Sequence, residues 1–145
     1  MTSIGNSAFR GCGYITSMVI PESVTSIGDS AFWGCGLRSI VIPNSITSIN
    51  SYTFYGCAAL TSITIPESVT SIGSYAFYDC RYLPSIVIPN SVTSIGSLVF
   101  SGCEALTSIT FNGTIAQWNK IKLGYSWSSS VPATAIHCTD GDVTL

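Results

Sequence analysis

Charged residues are scarce in this chain of 145 residues. They make up 8% of it, whereas a typical soluble domain has about 25%. The basic residues are few and scattered, and only Lys120 and Lys122 lie close together. A nucleic-acid surface needs a stripe of lysine and arginine along the phosphates, so we expect no nucleic-acid partner.

Long apolar runs are also missing. No run approaches the ~18 residues of a membrane-spanning helix, so the sequence predicts no membrane insertion. The first residues, Met1–Gly5, have neither the basic start nor the apolar core of a signal peptide. The class of protein must therefore be inferred from what the chain contains.

What the chain contains is a repeat of 22–23 residues, with the unit C-x-x-L-x-S-I-x-I-P-x-S-V-T-S-I-G-x-x-A-F-x-G. Three residue types recur in phase: Phe9, Phe32, Phe54, Phe77 and Phe100; Cys12, Cys35, Cys57, Cys80 and Cys103; Ile4, Ile27, Ile49, Ile72 and Ile95. One unit cannot bury its apolar face alone. In-phase repeats therefore predict a solenoid in which each turn stacks on the next.

Each repeat predicts two short strands and a turn. The apolar–polar alternation of Leu60–Ile65 indicates a strand that stops at Pro66, which brings no N–H to a ladder. Val69–Ile72 predicts a second short strand, and Tyr75–Tyr78 a single helical or 3₁₀ turn. The predicted fold class is a mostly β repeat solenoid.

Three recurring motifs carry a family resemblance: Ser-Val-Thr-Ser-Ile-Gly, Ala-Phe-x-Gly-Cys and Leu-Thr-Ser-Ile-Thr-Ile-Pro. They resemble the BspA-like, or Treponema-type, leucine-rich repeat family. The resemblance implies a right-handed leucine-rich-repeat solenoid with parallel strands. It also implies a cell-surface or secreted adhesion or interaction module of bacteria or of some mucosal protozoa.

The chain divides into an array and a cap within one domain. Residues 1–111 form about five repeats that start in the middle of a unit, and residues 112–145 form a C-terminal capping segment. Counting one repeat on from Ile95 and Phe100 places Trp118 and Leu123 in the same core positions. Thr114 is the predicted N-cap of a short helix in this cap.

The N-terminal turn has no capping segment of its own. We therefore expect nothing to cover Ile4 and Phe9, and the first strand, near Thr16–Ile20, to have an unpaired edge. Exposed apolar edges favour pairing with a second chain, so a homodimer through this N-terminal edge is predicted.

The repeated cysteines are predicted to form a buried row with one thiol per turn. Side chains in such a row are parallel, whereas a disulfide needs two cysteines that face each other. A row also cannot converge four ligands on one zinc ion. We interpret the row as reduced and structural, with an occasional disulfide as the alternative, and leave the state of Cys138 open.

No pattern in the sequence supports catalysis. The histidine His137 lies between Ile136 and Cys138 in a predicted strand, so it and Cys138 point to opposite faces. Asp140 and Asp142 fit a tight turn better than a calcium-binding loop. We predict no catalytic residues, no metal and no cofactor, and therefore not an enzyme.

Two surface regions are candidate binding sites. The strand-face lane consists of outward positions of the predicted strands, with Ser39, Val41, Ser62, Thr64, Ser85 and Val87 as its candidate residues. It is predicted to be flat and weakly polar, without the tyrosine, tryptophan or arginine anchors that dominate most interfaces.

The aromatic columns are the second region and contain Trp33, Tyr52, Tyr55, Tyr75 and Tyr78. Residues three apart share a face of a helical turn, so Tyr52 should join Tyr55, and Tyr75 should join Tyr78. One interpretation is a ladder that stabilises stacking. The other is an exposed patch that binds a protein or a sugar.

The sequence thus predicts a non-enzymatic binding or adhesion scaffold within a larger surface or secreted protein. Its candidate partners are a protein, the extracellular matrix or a glycan. The alternative is a rigid spacer without a ligand of its own. Whether the aromatic side chains are free or packed flat distinguishes the two.

Overall fold

The computed structural model describes residues 2–145 as a stack of turns with two short strands in each. The elements are β1 (Ser3–Ile4), β2 (Ser17–Val19), β3 (Ser26–Ile27), β4 (Ser39–Val41), β5 (Ser48–Ile49), β6 (Ser62–Thr64), β7 (Ser71–Ile72), β8 (Ser85–Ile88), β9 (Ser94–Ile95), β10 (Ser108–Phe111), α1 (Ile115–Trp118), β11 (Lys122–Leu123), β12 (Ala135–Cys138) and β13 (Gly141–Thr144).

Every turn has three sides. Even-numbered strands from β2 to β12 form the first side, and odd-numbered strands from β1 to β11 form the second. Paired residues lie one turn apart in parallel strands, as Ile40 with Ile63 on the first side and Ile49 with Ile72 on the second. The predicted parallel, mostly β solenoid is confirmed.

The third side is a chain of tight turns, and it lacks the helical or 3₁₀ turn that we predicted for Tyr75–Tyr78. Tyr75 and Phe77 donate their N–H groups to carbonyls of the following turn, at 2.9 and 3.1 Å. Tyr78, which lies outside this alternate series, closes a tight turn on the carbonyl of Tyr75. A helix would use these donors within its own turn, whereas here alternate donors join one turn to the next.

This geometry places two residues per turn in the left-handed region of backbone conformation. The later position holds glycine in four turns, Asp79 with φ +58° in the fourth turn and Ser130 with φ +62° in the last. The earlier position holds no glycine; its residues are Ser7, Ser30, Tyr52, Tyr75, Leu98 and Ser126. A side chain at such a φ costs roughly 1–2 kcal/mol, which the surrounding turns must offset.

A column of phenylalanine rings runs through the centre of the core. Neighbouring ring centroids lie 5.5–5.7 Å apart and the rings are parallel within 11°. Phe32, Phe54, Phe77 and Phe100 have no exposed surface. The repeat of phenylalanine in the sequence is therefore a continuous stack in space.

The solenoid has six turns, one more than the five that we predicted. Leu123 pairs with Ile95, and Phe100 donates its N–H to the carbonyl of Trp127 at 3.0 Å. Leu123 thus takes the position of Ile95, and Trp127 takes that of Val99 and packs its ring edge-to-face with Phe100 at 6.1 Å. Our assignment of Trp118 and Leu123 to the positions of Ile95 and Phe100 is wrong. The count of one repeat fails because α1 lies between β10 and β11 and lengthens the last turn.

Two substitutions in the repeat interrupt the sheets. The first side divides between β6 and β8 at Pro84, which has no N–H to donate where Thr107 donates one turn later. The second side divides between β3 and β5, where Asn50 stands in place of a glycine. Its side-chain amide bonds the carbonyl of Ile27 at 2.7 Å, and this replaces the bond that the glycine N–H makes in other turns.

The cap closes the C-terminal end with a helix and a hairpin. Thr114 accepts a hydrogen bond from the N–H of Gln117, whose side chain accepts from Thr114 in return, so the predicted N-cap is confirmed. Trp118 packs against the rings of Phe111 and Trp127, at 5.4 and 5.5 Å. Strand β13 is antiparallel to β12 and ends the parallel ladder.

The first turn is less open than we expected. Ile4 is only 6% exposed and belongs to the core, and Phe9 is half-buried and stacks on Phe32. The prediction that Ile4 lies uncovered is wrong, because the side chain packs into the core of its neighbours. Within the described residues, β1 pairs only with β3 and β2 only with β4, so each of these strands has one open edge.

Replacement of Phe54 or Phe77 by alanine should lower the free energy of unfolding by roughly 3–5 kcal/mol, because each leaves a cavity in the ring stack. Tyr55→Ala, at a half-buried neighbour, should cost only about 1–2 kcal/mol. Urea denaturation of the three variants measures this. Equal losses at Phe54 and Tyr55 would show that inside and outside are reversed.

Candidate interaction surfaces

The strand-face lane lies on the first side, and its predicted residues all face solvent: Ser39, Val41, Ser62, Thr64, Ser85 and Val87. Val19, Val41 and Val87 are 91%, 66% and 47% exposed. The lane is therefore an exposed apolar strip as well as a polar one. Its valines point outward because the alternate residues, such as Ile40, fill the core.

Two shallow depressions border the strand-face lane and share Glu22, Val41 and Pro43. Their linings include Glu22 and Glu67 and, among residues 2–145, no basic side chain. Sequence reasoning missed these acids because it considered only the residues within the predicted strands, and each acid follows the proline that ends a strand. The recurring Pro-Glu pair, at Pro21 and Pro66, was the available signal.

The aromatic columns are packed ring on ring. Trp33 stacks on Tyr55 at 4.1 Å, Tyr55 on Tyr78 at 4.8 Å, and Tyr52 on Tyr75 at 4.9 Å between centroids. The expected lateral pairs also meet, Tyr52 with Tyr55 at 5.9 Å and Tyr75 with Tyr78 at 5.6 Å. All five side chains are half-buried. Most ring faces are thus covered by other rings, which is the ladder geometry.

A basic side chain covers one end of this stack. The guanidinium carbon of Arg10 lies 4.4 Å from the ring centroid of Trp33, within the range of a cation–π interaction. Sequence reasoning missed this contact, although Arg10 occupies the same position of its repeat as Trp33. Burial, and then the nearby Tyr78 and Asp79, raise the pKa of Tyr55 within the stack.

The cysteine ladder consists of Cys35, Cys57, Cys80 and Cys103, all buried. Each thiol donates to a phenylalanine carbonyl of the preceding turn, with Sγ–O distances of 2.9–3.2 Å. Burial raises the pKa of Cys35 to about 11 and those of Cys57 and Cys103 to about 12. The thiols are therefore protonated donors at neutral pH, and all six cysteines are unpaired in the structure.

The polar residues of the cap have structural contacts. Ile136 is buried and His137 exposed, as expected for neighbours in a strand, and Nδ1 of His137 lies 2.9 Å from Oδ1 of Asp142. Asp140 accepts the N–H of Ile115 at 2.8 Å and joins the hairpin to α1. In the part of the chain that the structure describes, no three His, Cys, Asp or Glu side chains converge as a metal site.

No helix within residues 2–145 has the length and apolar character to cross a membrane.

Residues 2–126 match the family model of the BspA type leucine rich repeat region in six copies. The match extends past residue 111, in agreement with the sixth turn. No protein of curated function matches the chain significantly.

Solved structures give the same result. A leucine rich cell surface protein from Faecalibacterium prausnitzii is 42% identical, with a TM-score of 0.82 over 84% of this chain and 32% of that one. A leucine rich repeat protein of T. pallidum is 32% identical, with a TM-score of 0.74 over 86% of this chain and 63% of that one. The chain therefore spans about a third of the first relative and under two thirds of the second.

The cysteine ladder predicts a loss of stability in alkali. The unfolded state releases the Cys57 proton near the ordinary pKa of 9.0, whereas the native state holds it to about 12. The contribution is complete below pH 9.0 and is lost as the pH rises toward about 12. Urea denaturation at several pH values should show the fall, and Cys57→Ser, whose hydroxyl does not titrate there, should make it less steep, since the other three ladder thiols still titrate. An unchanged slope in Cys57→Ser would contradict the assignment.

The state of the thiols in solution is checked separately. All six cysteines should titrate as free thiols in protein that is unfolded without a reducing agent. In the native protein the four ladder thiols should react far more slowly than Cys12 and Cys138, which are half-buried. Fewer than four titratable thiols in the unfolded chain would reject the reduced ladder.

Proposed function

This chain belongs to the BspA-type leucine-rich repeat family, and on that premise we propose that it is a non-enzymatic scaffold that binds a partner protein. It acts as a module of a larger cell-surface or secreted protein. The relative from Faecalibacterium prausnitzii is described as a cell surface protein, which supports this location. The protonated state of the buried thiols supports a non-catalytic role, because a nucleophilic cysteine must be a thiolate.

The observation that carries this proposal is the exposed valine strip of the strand-face lane. Val19 and Val41 are paired neighbours on one flat side of the stack, and Thr64 lies between Val41 and Val87, beside two depressions. A monomeric protein gains nothing in water from exposing these valines, and neighbouring exposed apolar side chains favour a binding site. Serines in the neighbouring column supply hydroxyl groups for orientation.

The chemistry of the strand-face lane favours an extended segment of a protein. Small side chains leave the lane flat, so it contacts a ligand along its length rather than enclosing a compact one. Glu22 and Glu67 lie at its border without a basic neighbour in the lining. The partner is therefore an apolar segment with lysine or arginine beside it, presented by a protein of the extracellular matrix. A glycan is the alternative partner.

A rigid spacer without its own ligand is the second candidate function. The unbroken phenylalanine stack and the aromatic columns favour it, because both use their surface to stiffen the turns. The two functions differ at the strand-face lane. A spacer has no use for exposed valines there.

Purified extracellular-matrix proteins, immobilised one at a time, should include one that binds this chain saturably. Val41→Asp with Val87→Asp should weaken that binding at least about tenfold, because both place a charge in an apolar contact. Tyr55→Ser, on the third side, is the matched control and should bind normally. Thermal melts confirm that each variant is folded.

Three results would overturn this proposal. If none of the matrix proteins binds saturably, the rigid spacer is the function that remains. Normal binding by the valine variant, with loss in Tyr55→Ser, moves the site to the aromatic columns. Saturable binding to matrix glycans alone replaces the protein partner with a sugar.

We also propose that this 145-residue chain forms a homodimer through the open edges of β1 and β2. Parallel strands with an unpaired edge can bond a second copy, and Val19 on β2 adds exposed apolar surface. Light scattering should show a mass that rises from monomer to dimer with concentration. Val19→Lys should shift the transition to higher concentration, and Val87→Lys should not. A monomer at every concentration would contradict the dimer.

A further inference from the structure

The stack of aromatic rings is covered at one end and open at the other. Arg10, Trp33, Tyr55 and Tyr78 occupy equivalent positions of successive repeats, and the next residue in this series is Ser101. Ser101 has no ring to continue the stack, so the face of Tyr78 that is directed toward it ends the column. The adjacent column differs, because after Tyr52 and Tyr75 it continues with the apolar Leu98.

The residue that follows Tyr78 carries a carboxylate. Asp79 follows Tyr78, and a Cβ built at Gly102 would collide with Oδ1 of Asp79, so the carboxylate leans over the next turn toward Gly102. Ser101 and Gly102 are neighbours in sequence. The ring face of Tyr78 and the carboxylate of Asp79 are therefore directed toward the same two residues.

Asp79 occupies a position where the fold favours glycine. The equivalent residues Gly11, Gly34, Gly56 and Gly102 have φ between +65° and +78°, and Asp79 has φ +58°. Glycine adopts this conformation without strain, whereas a side chain makes it costly. The carboxylate is thus present against a local backbone preference, and its known contact is an exposed ion pair with Arg81 at 3.4 Å. Such a pair contributes little to stability.

We propose that the open end of the aromatic stack binds an arginine side chain of a partner protein, between the ring face of Tyr78 and the carboxylate of Asp79. The other end of the same stack shows the arrangement, since the guanidinium of Arg10 lies over Trp33 at 4.4 Å. At Tyr78 the ring offers a π surface of the same kind, and the carboxylate of Asp79 adds a negative charge. A planar guanidinium can stack on the ring and bond the carboxylate together.

The chain's own Arg81 competes for this carboxylate without filling the site. It reaches Oδ2 of Asp79, whereas Oδ1, directed toward Gly102, has no ion pair among the described residues. Arg81 and Asp79 are both partly exposed, so a guanidinium from outside can replace it. This site is on the third side and does not depend on the strand-face lane, whose valines lie on the first side.

The test uses the whole chain and two peptides, acetyl-Gly-Arg-Gly-amide and the same peptide with citrulline. Citrulline has the shape of arginine without its charge. NMR titration should show saturable, salt-sensitive shifts of the Tyr78 ring with the arginine peptide, and much weaker ones with citrulline. Asp79→Gly and Tyr78→Leu should each lower the affinity, by roughly three- to tenfold. Arg81→Gln, which removes the internal competitor, should bind at least as tightly as the natural chain.

The Asp79→Gly variant also serves as a control for folding. It introduces the glycine that four other turns have at this position, so it should not lower Tm. Equal shifts with citrulline, or unchanged affinity in Asp79→Gly, would overturn the proposal. So would saturable binding of a neutral trisaccharide such as maltotriose to Tyr78 in place of the arginine peptide, which would make the site a sugar site. A failure of the strand-face lane to bind matrix protein leaves this result unaffected.

Discussion

The structure depends on one constraint: each turn must lie one strand spacing from the next along the whole stack. Strand ladders on two sides and the alternate N–H donors of the third side all bond to the adjacent turn. Residues at equivalent positions of successive repeats therefore lie above one another. An aromatic residue that recurs at one position of the repeat forms a continuous stack of rings. The constraint also limits what fits, and a Cβ at Gly36 would collide with the carbonyl of Gly13. The repeat that contains Gly36 has 22 residues, one fewer than the others, and it therefore needs glycine at position 36.

The same constraint decides which surface is available for binding. On the third side, neighbouring turns lie close enough for rings to stack at 4.1–4.9 Å, so the tyrosines cover one another. On the first side the outward valines are too small to cover one another and stay exposed. Large aromatic residues thus became the ladder and small aliphatic residues became the candidate contact surface. The contact surface that we propose on the first side therefore lacks the aromatic side chains that dominate most interfaces.

Departures from the repeat carry the chemical information that the repeat itself lacks. Pro84 and Asn50 each alter one hydrogen-bonding position and divide a sheet. Arg10 replaces an aromatic residue at the start of a column, and Asp79 replaces a glycine next to its last ring. In a chain with 8% charged residues, an acid or base at a repeated position changes the local electrostatics strongly. Function in such a solenoid is therefore best sought where the repeat is broken.

The sequence by itself determined the period, the parallel stacking, the inward Phe and Ile columns and the N-cap at Thr114. The period and the columns follow from the phase of apolar residues between repeats and from their alternation within one repeat, and the N-cap follows from local capping chemistry. All of these can be read along the chain. Only the tertiary structure decided the sixth turn through Leu123 and Trp127, the chained turns of the third side and the thiol bonds to phenylalanine carbonyls. It also decided the coverage of Trp33 by Arg10. Each of these depends on which residue one turn away comes into contact, and that register is set when the turns stack.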